Sequence, residues 1–126
     1  MPGTSRNSTA ILKDILEING VQTVLIAGRD GFVIESRGTS HDVQIDALGA
    51  SLANAINSLD QMGIEMSIER YRDMFVEYGS AVILSRPIGD ALLAIVSPDA
   101  STLGMIRYRL KGYVKELEAL FQATDV

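Results

Sequence analysis

With 126 residues, a formal net charge of −5 and 47% hydrophobic residues, the chain has room for one domain with a sizeable core. The acidic balance argues against a nucleic-acid binder, whose affinity rests on Lys and Arg neutralising phosphates. The lack of cysteine excludes disulfides, thiolate zinc sites and thiol nucleophiles, while the lack of any run of about 18 apolar residues or of an apolar leader argues against membrane insertion and export, so a cytoplasmic protein is expected.

Asn7-Ser8-Thr9 suits an N-cap, and Ile11, Leu12, Ile15 and Leu16 fall on one helical face, which predicts a first helix over about residues 8–18, closed by Asn19-Gly20. Val21 to Gly28 is an apolar, β-branched run that reads as a strand covered on both faces. Arg29-Asp30-Gly31 then turns the chain into a second strand, Phe32 to Ser36, because Asp-Gly supplies the positive φ of a tight hairpin. A polar loop leads to Asp42, a candidate cap for a middle helix whose stripe is Ile45, Leu48, Leu52, Ile56, Leu59 and Met62. Gly63 either stops this helix or merely weakens it.

Three β-prone runs follow, Tyr71 to Tyr78, Ala81 to Arg86 and Ala91 to Ser97. Their short connections imply an antiparallel meander, and the third run, without polar alternation, belongs in the middle of the sheet. Pro98-Asp99 opens a last helix with Leu103, Ile106, Leu110, Val114, Leu117 and Leu120 on one side. Its Arg107, Arg109, Lys111 and Lys115 stand beside Glu116 and Glu118 and read as a mixed-sign solvated face.

Two features bear on function. From Ala47 to Leu59 the middle helix carries no charge, and the side opposite its apolar stripe collects Ala47, Ala50, Ala53, Asn54, Asn57, Ser58 and Gln61. A solvated face normally gathers Lys, Glu and Arg, so this flank is expected to meet protein. The competing explanations are helix propensity and close approach of the helix to its own sheet, although Gly49, Asn54, Asn57 and Ser58 are poor choices for propensity alone. The second feature is the long strand 71–78, which starts the meander and so can lie at an edge. There Arg72, Asp73 and Glu77 protect its open hydrogen-bonding groups, or a second copy pairs with it in an isologous dimer.

In this order and spacing, Val24–Ile34, the Ala/Leu/Ser-rich helix from Asp42, Phe75–Gly79, Leu92–Val96 and Leu103–Arg107 resemble the Roadblock (dynein light-chain) family, including bacterial members that regulate Ras-like GTPases. The resemblance implies an α+β domain over residues 8–121, with loose ends at 1–7 and 122–126. Its profilin-like/Roadblock architecture is a five-stranded antiparallel sheet with the first and last helices on one face and the middle helix on the other. It also implies homodimers in which edge strands and middle helices of two chains meet, here at Ala47, Ala50, Ala53, Asn54, Asn57, Tyr71, Arg72, Met74, Val76 and Tyr78. The paired middle helices would form part of a GTPase-docking surface, with Asn57, Ser58 and Gln61 as contacts.

Catalytic machinery is hard to assemble. There is no Gly-rich loop ending in Gly-Lys-Ser/Thr, and Gly28-Arg29-Asp30-Gly31 reads as a hairpin turn. His41, the one histidine, sits in a polar loop, while Asp42 and Asp46 suit the first turn of a helix better than a metal. Arg29, Arg70 and Arg72 are formal candidates for an arginine finger, with surface salt-bridging the preferred reading of each. The expectation is a homodimeric, non-enzymatic regulator or scaffold that binds a Ras-like small GTPase, without cofactor or metal. A structural adaptor with no effect on GTP hydrolysis and a small-molecule sensory domain are the alternatives.

Overall fold

Residues 6–38 and 44–122 are described by the computed structural model, so His41 and Asp42 lie outside the described residues. The elements in chain order are α1 (Ser8–Leu16), β1 (Thr23–Gly28), β2 (Val33–Gly38), α2 (Ile45–Glu65), β3 (Met74–Glu77), β4 (Val82–Ile88), β5 (Ala91–Ser97) and α3 (Leu103–Leu120), the last entered through a 3-10 turn at Ala100–Thr102.

All five strands join one antiparallel sheet in the order β2-β1-β5-β4-β3. Central β5 is buried at every position, which explains its missing polar alternation. Leu93 and Ile95 pack with Ile11, Leu12 and Ile15 of α1 and Ile106, Leu110 and Leu117 of α3. Leu92 and Ala94 face the other way, into clusters with Leu52, Ala53 and Ile56 of α2. The expected α+β arrangement, two helices on one face and one on the other, is therefore the arrangement found. Each fully buried Leu or Ile contributes about 1.5–3 kcal/mol to it.

Local chemistry sets the boundaries. Asn7 caps α1 by accepting the Ala10 amide at 2.9 Å, and Gly20, at φ +98°, turns the chain toward β1. Arg6 ties α1 to α3 by donating to both Asp14 and Glu116. Asp99 caps the 3-10 turn by accepting the Ser101 amide at 2.8 Å and the Ser101 hydroxyl, bonds that hold its carboxyl below the ordinary range. A register shift between Ile26 and Ala27 leaves Phe32 outside β2, which runs on to Gly38 instead. Beyond the Ala81–Arg86 expected for it, β4 continues through Pro87 to Ile88. Because β3 begins only at Met74, opposite Ser85, that proline borders one strand only, where the missing N–H is tolerated.

Candidate protein-interaction surface

The middle helix turns Leu52, Ala53 and Ile56 into the sheet and comes unusually near the β1–β2 hairpin. A Cβ on Gly49 would stand 2.6 Å from Cγ2 of Val33 and 3.0 Å from the Gly31 carbonyl oxygen. On the hairpin side, a Cβ on Gly31 would stand 3.1 Å from Cα of Ala50. Small residues at 49 and 53 therefore serve the protomer's own packing, which corrects part of the reading from sequence. Ala53 is only 4% exposed and packs with Ile56 and Leu92, so it leaves the outward set.

Gly63 does not stop α2. It makes room for the returning chain, since a Cβ there would lie 2.6 Å from the Glu69 carbonyl oxygen. The helix closes two residues later, where the Ile68 amide donates to the Gly63 carbonyl at 2.9 Å and the Ser67 amide to the Ile64 carbonyl at 3.0 Å. This is a Schellman closure with Ser67, at φ 59°, in the left-handed position usually held by glycine.

Ala47, Ala50, Ser51, Asn54, Ala55, Asn57, Ser58 and Gln61 remain exposed, and none is charged. They divide between two flanks. Ala50, with Asp46, borders a hollow against Asp30–Val33 of the hairpin, and Asn57 follows on that side. Ser51, Ala55 and Met62 follow Leu48 at helical spacing, and Leu48 packs against the same buried cluster, around Leu52 and Ala94, that Met74 of β3 and Ile83 of β4 pack against. This β3-side flank was missed from the sequence, where Met62 counted as core. The sheet-facing clusters take α2 only as far as Ile56, and Met62 is 50% exposed, followed by exposed Ile64, Met66 and Ile68. The signal was present as the row 48, 51, 55, 59, 62, which is small or apolar throughout.

β3 lies at the sheet edge and pairs only with β4. It is shorter than the expected 71–78 because its approach is bonded elsewhere. The Tyr71 amide donates to Asp60 Oδ1 at 3.3 Å, and Asp73 accepts Arg86 Nε at 2.5 Å and Arg107 at 2.8 Å. Tyr71 and Met74 are half-buried and pack against the clusters under α2, so less of each is open to a partner. Val76 and Tyr78 are exposed, and Arg72 is exposed beside α3. Opposite Ile83, Val76 shares the α2 side of the sheet, so the β3 edge and the flank Ser51–Met62 border each other.

Arg29 is not a free finger. Its guanidinium donates to Asp60 Oδ2 at 2.7 Å, its side chain is 25% exposed, and its buried Nε has no partner. The salt-bridging role preferred from sequence is the one found. Burial pushes the Tyr71 phenol up to about 12, against the opposing influence of Ser85 and Arg29, and its hydroxyl lies buried with no partner in hydrogen-bonding geometry. Burial would raise the Asp73 carboxyl, but the bonds from Arg86 and Arg107 outweigh it and hold the group below the ordinary range. Among the described residues no three His, Cys, Asp or Glu side chains gather as metal ligands, and no helix is long and apolar enough to cross a membrane.

Comparison with known proteins identifies the fold. The family described as Roadblock/LC7 domain matches residues 9–97. An uncharacterized protein of Methanocaldococcus jannaschii is 22% identical over 111 residues, covering 88% of this chain and 93% of its own. Among solved structures, MglB of Myxococcus xanthus superposes with a TM-score of 0.83 at 18% identity, covering 92% of this chain and 91% of its own. A Roadblock/LC7 domain from Streptomyces avermitilis gives a TM-score of 0.80 at 16% identity, with coverages of 91% and 98%. At these identities the superpositions show the shared fold.

Proposed function

The chain belongs to the Roadblock/LC7 domain family, and from that premise we propose that it is a homodimeric, non-enzymatic regulator or scaffold that binds a Ras-like small GTPase. One observation carries the reading: the outer face of α2 is exposed, small and free of charge from Ala47 to Ser58, and it borders the open edge of β3. Surface helices stay soluble by displaying Lys and Glu, and open edges invite pairing, so the two together favour a protein partner over water.

A second copy would cover the β3 edge and the flank Ser51, Ala55 and Met62 by the same contacts in both directions, as two-fold symmetry requires. The antiparallel pairing of two β3 edges would then extend the sheet across both protomers. Ala47, Asn54, Ser58 and Gln61, on the crest of α2, would remain available to the GTPase. With Arg29 held by Asp60, regulation rests on preferring one nucleotide state of the GTPase, a population shift that needs unequal affinity for the two states.

Binding measurements with the Ras-like GTPases of the source organism, loaded with GDP or with a non-hydrolysable GTP analogue, test this directly. Tighter binding to one form is expected. Lack of binding to either form would end the GTPase reading, and equal binding with unchanged hydrolysis would leave a structural adaptor.

A further inference from the structure

Arg107, Lys111 and Lys115 stand four residues apart on α3, so three cations share one row, and like charges at this spacing destabilise a helix. Arg72 and Arg86 come to the same row from the sheet side. A groove of about 490 Å³ is lined by the four cations Arg72, Arg86, Lys111 and Lys115 against the two acids Asp73 and Glu118, with apolar Pro87 and Val114. Counting Arg109, which lines an adjoining hollow with Lys111, this region holds six of the chain's 11 basic residues (Arg72, Arg86, Arg107, Arg109, Lys111 and Lys115), in a protein of net charge −5. The mixed-sign reading of this helix understates the asymmetry, because folding adds Arg72 and Arg86 to its cationic row.

Neutralisation within the groove is incomplete. Asp73 is shared between Arg86 and Arg107, which orients both guanidiniums and leaves each with further N–H donors. Among the described residues, Arg72, Lys111 and Lys115 have no ion-pair partner. The hollows that share Lys111 run from Gly104 to Glu118, a rise of about 21 Å at 1.5 Å per helical residue, which matches about six residues of extended chain. Spread-out charges along an apolar floor fit a strand-like segment better than one compact anion, which needs donors converging on a point.

We infer that this groove binds an extended acidic peptide segment of a partner protein, with its carboxylates on Arg86, Lys111 and Lys115 and its apolar side chains on Pro87 and Val114. The site lies across the sheet from α2 and does not depend on the GTPase reading. Charge pairing of this kind weakens with salt.

Fluorescence anisotropy of the full chain with a labelled peptide of alternating Glu and Leu, and with its Gln-for-Glu counterpart, provides the test. The Glu peptide should bind in a salt-sensitive manner and the Gln peptide should not. A Lys111→Gln/Lys115→Gln variant should lose about tenfold in affinity, while Lys111→Arg/Lys115→Arg retains it. The inference is overturned by no binding at low salt, by equal binding of the Gln peptide, or by unchanged affinity of the double Gln variant. Displacement of the peptide by lower concentrations of a DNA duplex or of phosphatidylserine vesicles would also overturn it, in favour of another class of anion.

Discussion

Arg29 in the β1–β2 turn and Asp60 in α2 form an ion pair at 2.7 Å, and the same carboxylate accepts the Tyr71 amide at 3.3 Å on the approach to β3. One side chain thus ties together the hairpin, the helix and the edge strand that make up the candidate surface. Asp60→Ala would leave a mostly buried guanidinium unpaired and release the Tyr71 amide. A loss of about 2 kcal/mol is expected, discounted from a fully buried pair because Arg29 keeps 25% exposure. Urea denaturation measures it, and a change within error would show that the pair holds nothing in place.

Gly49 separates packing within the protomer from packing between protomers. Gly49→Val would push a branched side chain against Val33 and the Gly31 carbonyl, at a cost of about 1–3 kcal/mol in thermal or urea unfolding. Since Gly49 is buried within its own protomer, self-association of the folded fraction should not change.

Ser67 holds a left-handed conformation that costs a residue with a Cβ about 1 kcal/mol. Ser67→Gly relieves that strain while keeping both closing hydrogen bonds of α2, so the urea midpoint should rise. The gain should fall short of the full strain energy because glycine also loses more backbone freedom on folding.

Tyr71 gives stability an alkaline limit. Its folded-state value, about 12, lies above the ordinary 10.0, so the buried phenol favours the protonated state. That contribution is fully present below pH 10 and is lost as pH rises toward 12. Tyr71→Phe removes this dependence and, because the hydroxyl has no partner, should not lower stability at neutral pH. Denaturation midpoints of both proteins across pH 8–12 check each statement. Parallel curves would show that the group is not buried as described.

Periodicity and turn signals were enough to locate the helices and strands, because strands covered on both faces and helices with one apolar stripe leave distinct patterns, while the layering of helices on the sheet rested on the family resemblance. Ala91–Ser97 is the clearest case, read as central and found between β1 and β4. Side-chain direction on α2 was less legible. A helical row gives angles around its own axis but not how close the helix comes to its sheet, so Ala53 was placed outward and Met62 inward. The shortening of β3 depends on the Tyr71 amide donating to Asp60 and on Arg86 and Arg107 donating to Asp73, partners that are remote in sequence and leave no local trace. The cationic groove was hidden for the same reason, since Arg72 and Arg86 meet α3 only after folding.

Sedimentation equilibrium of the wild-type chain beside Ala55→Arg is the most direct measurement of whether a second polypeptide covers the uncharged flank of α2. Ala55 is exposed on the β3 side of the helix, where an arginine does not disturb the core. The expected result is a wild-type dimer and an Ala55→Arg monomer that keeps the wild-type circular dichroism spectrum while losing the concentration dependence of unfolding. A wild-type chain that stays monomeric at the highest soluble concentration, or a variant that dimerises equally well, would contradict it.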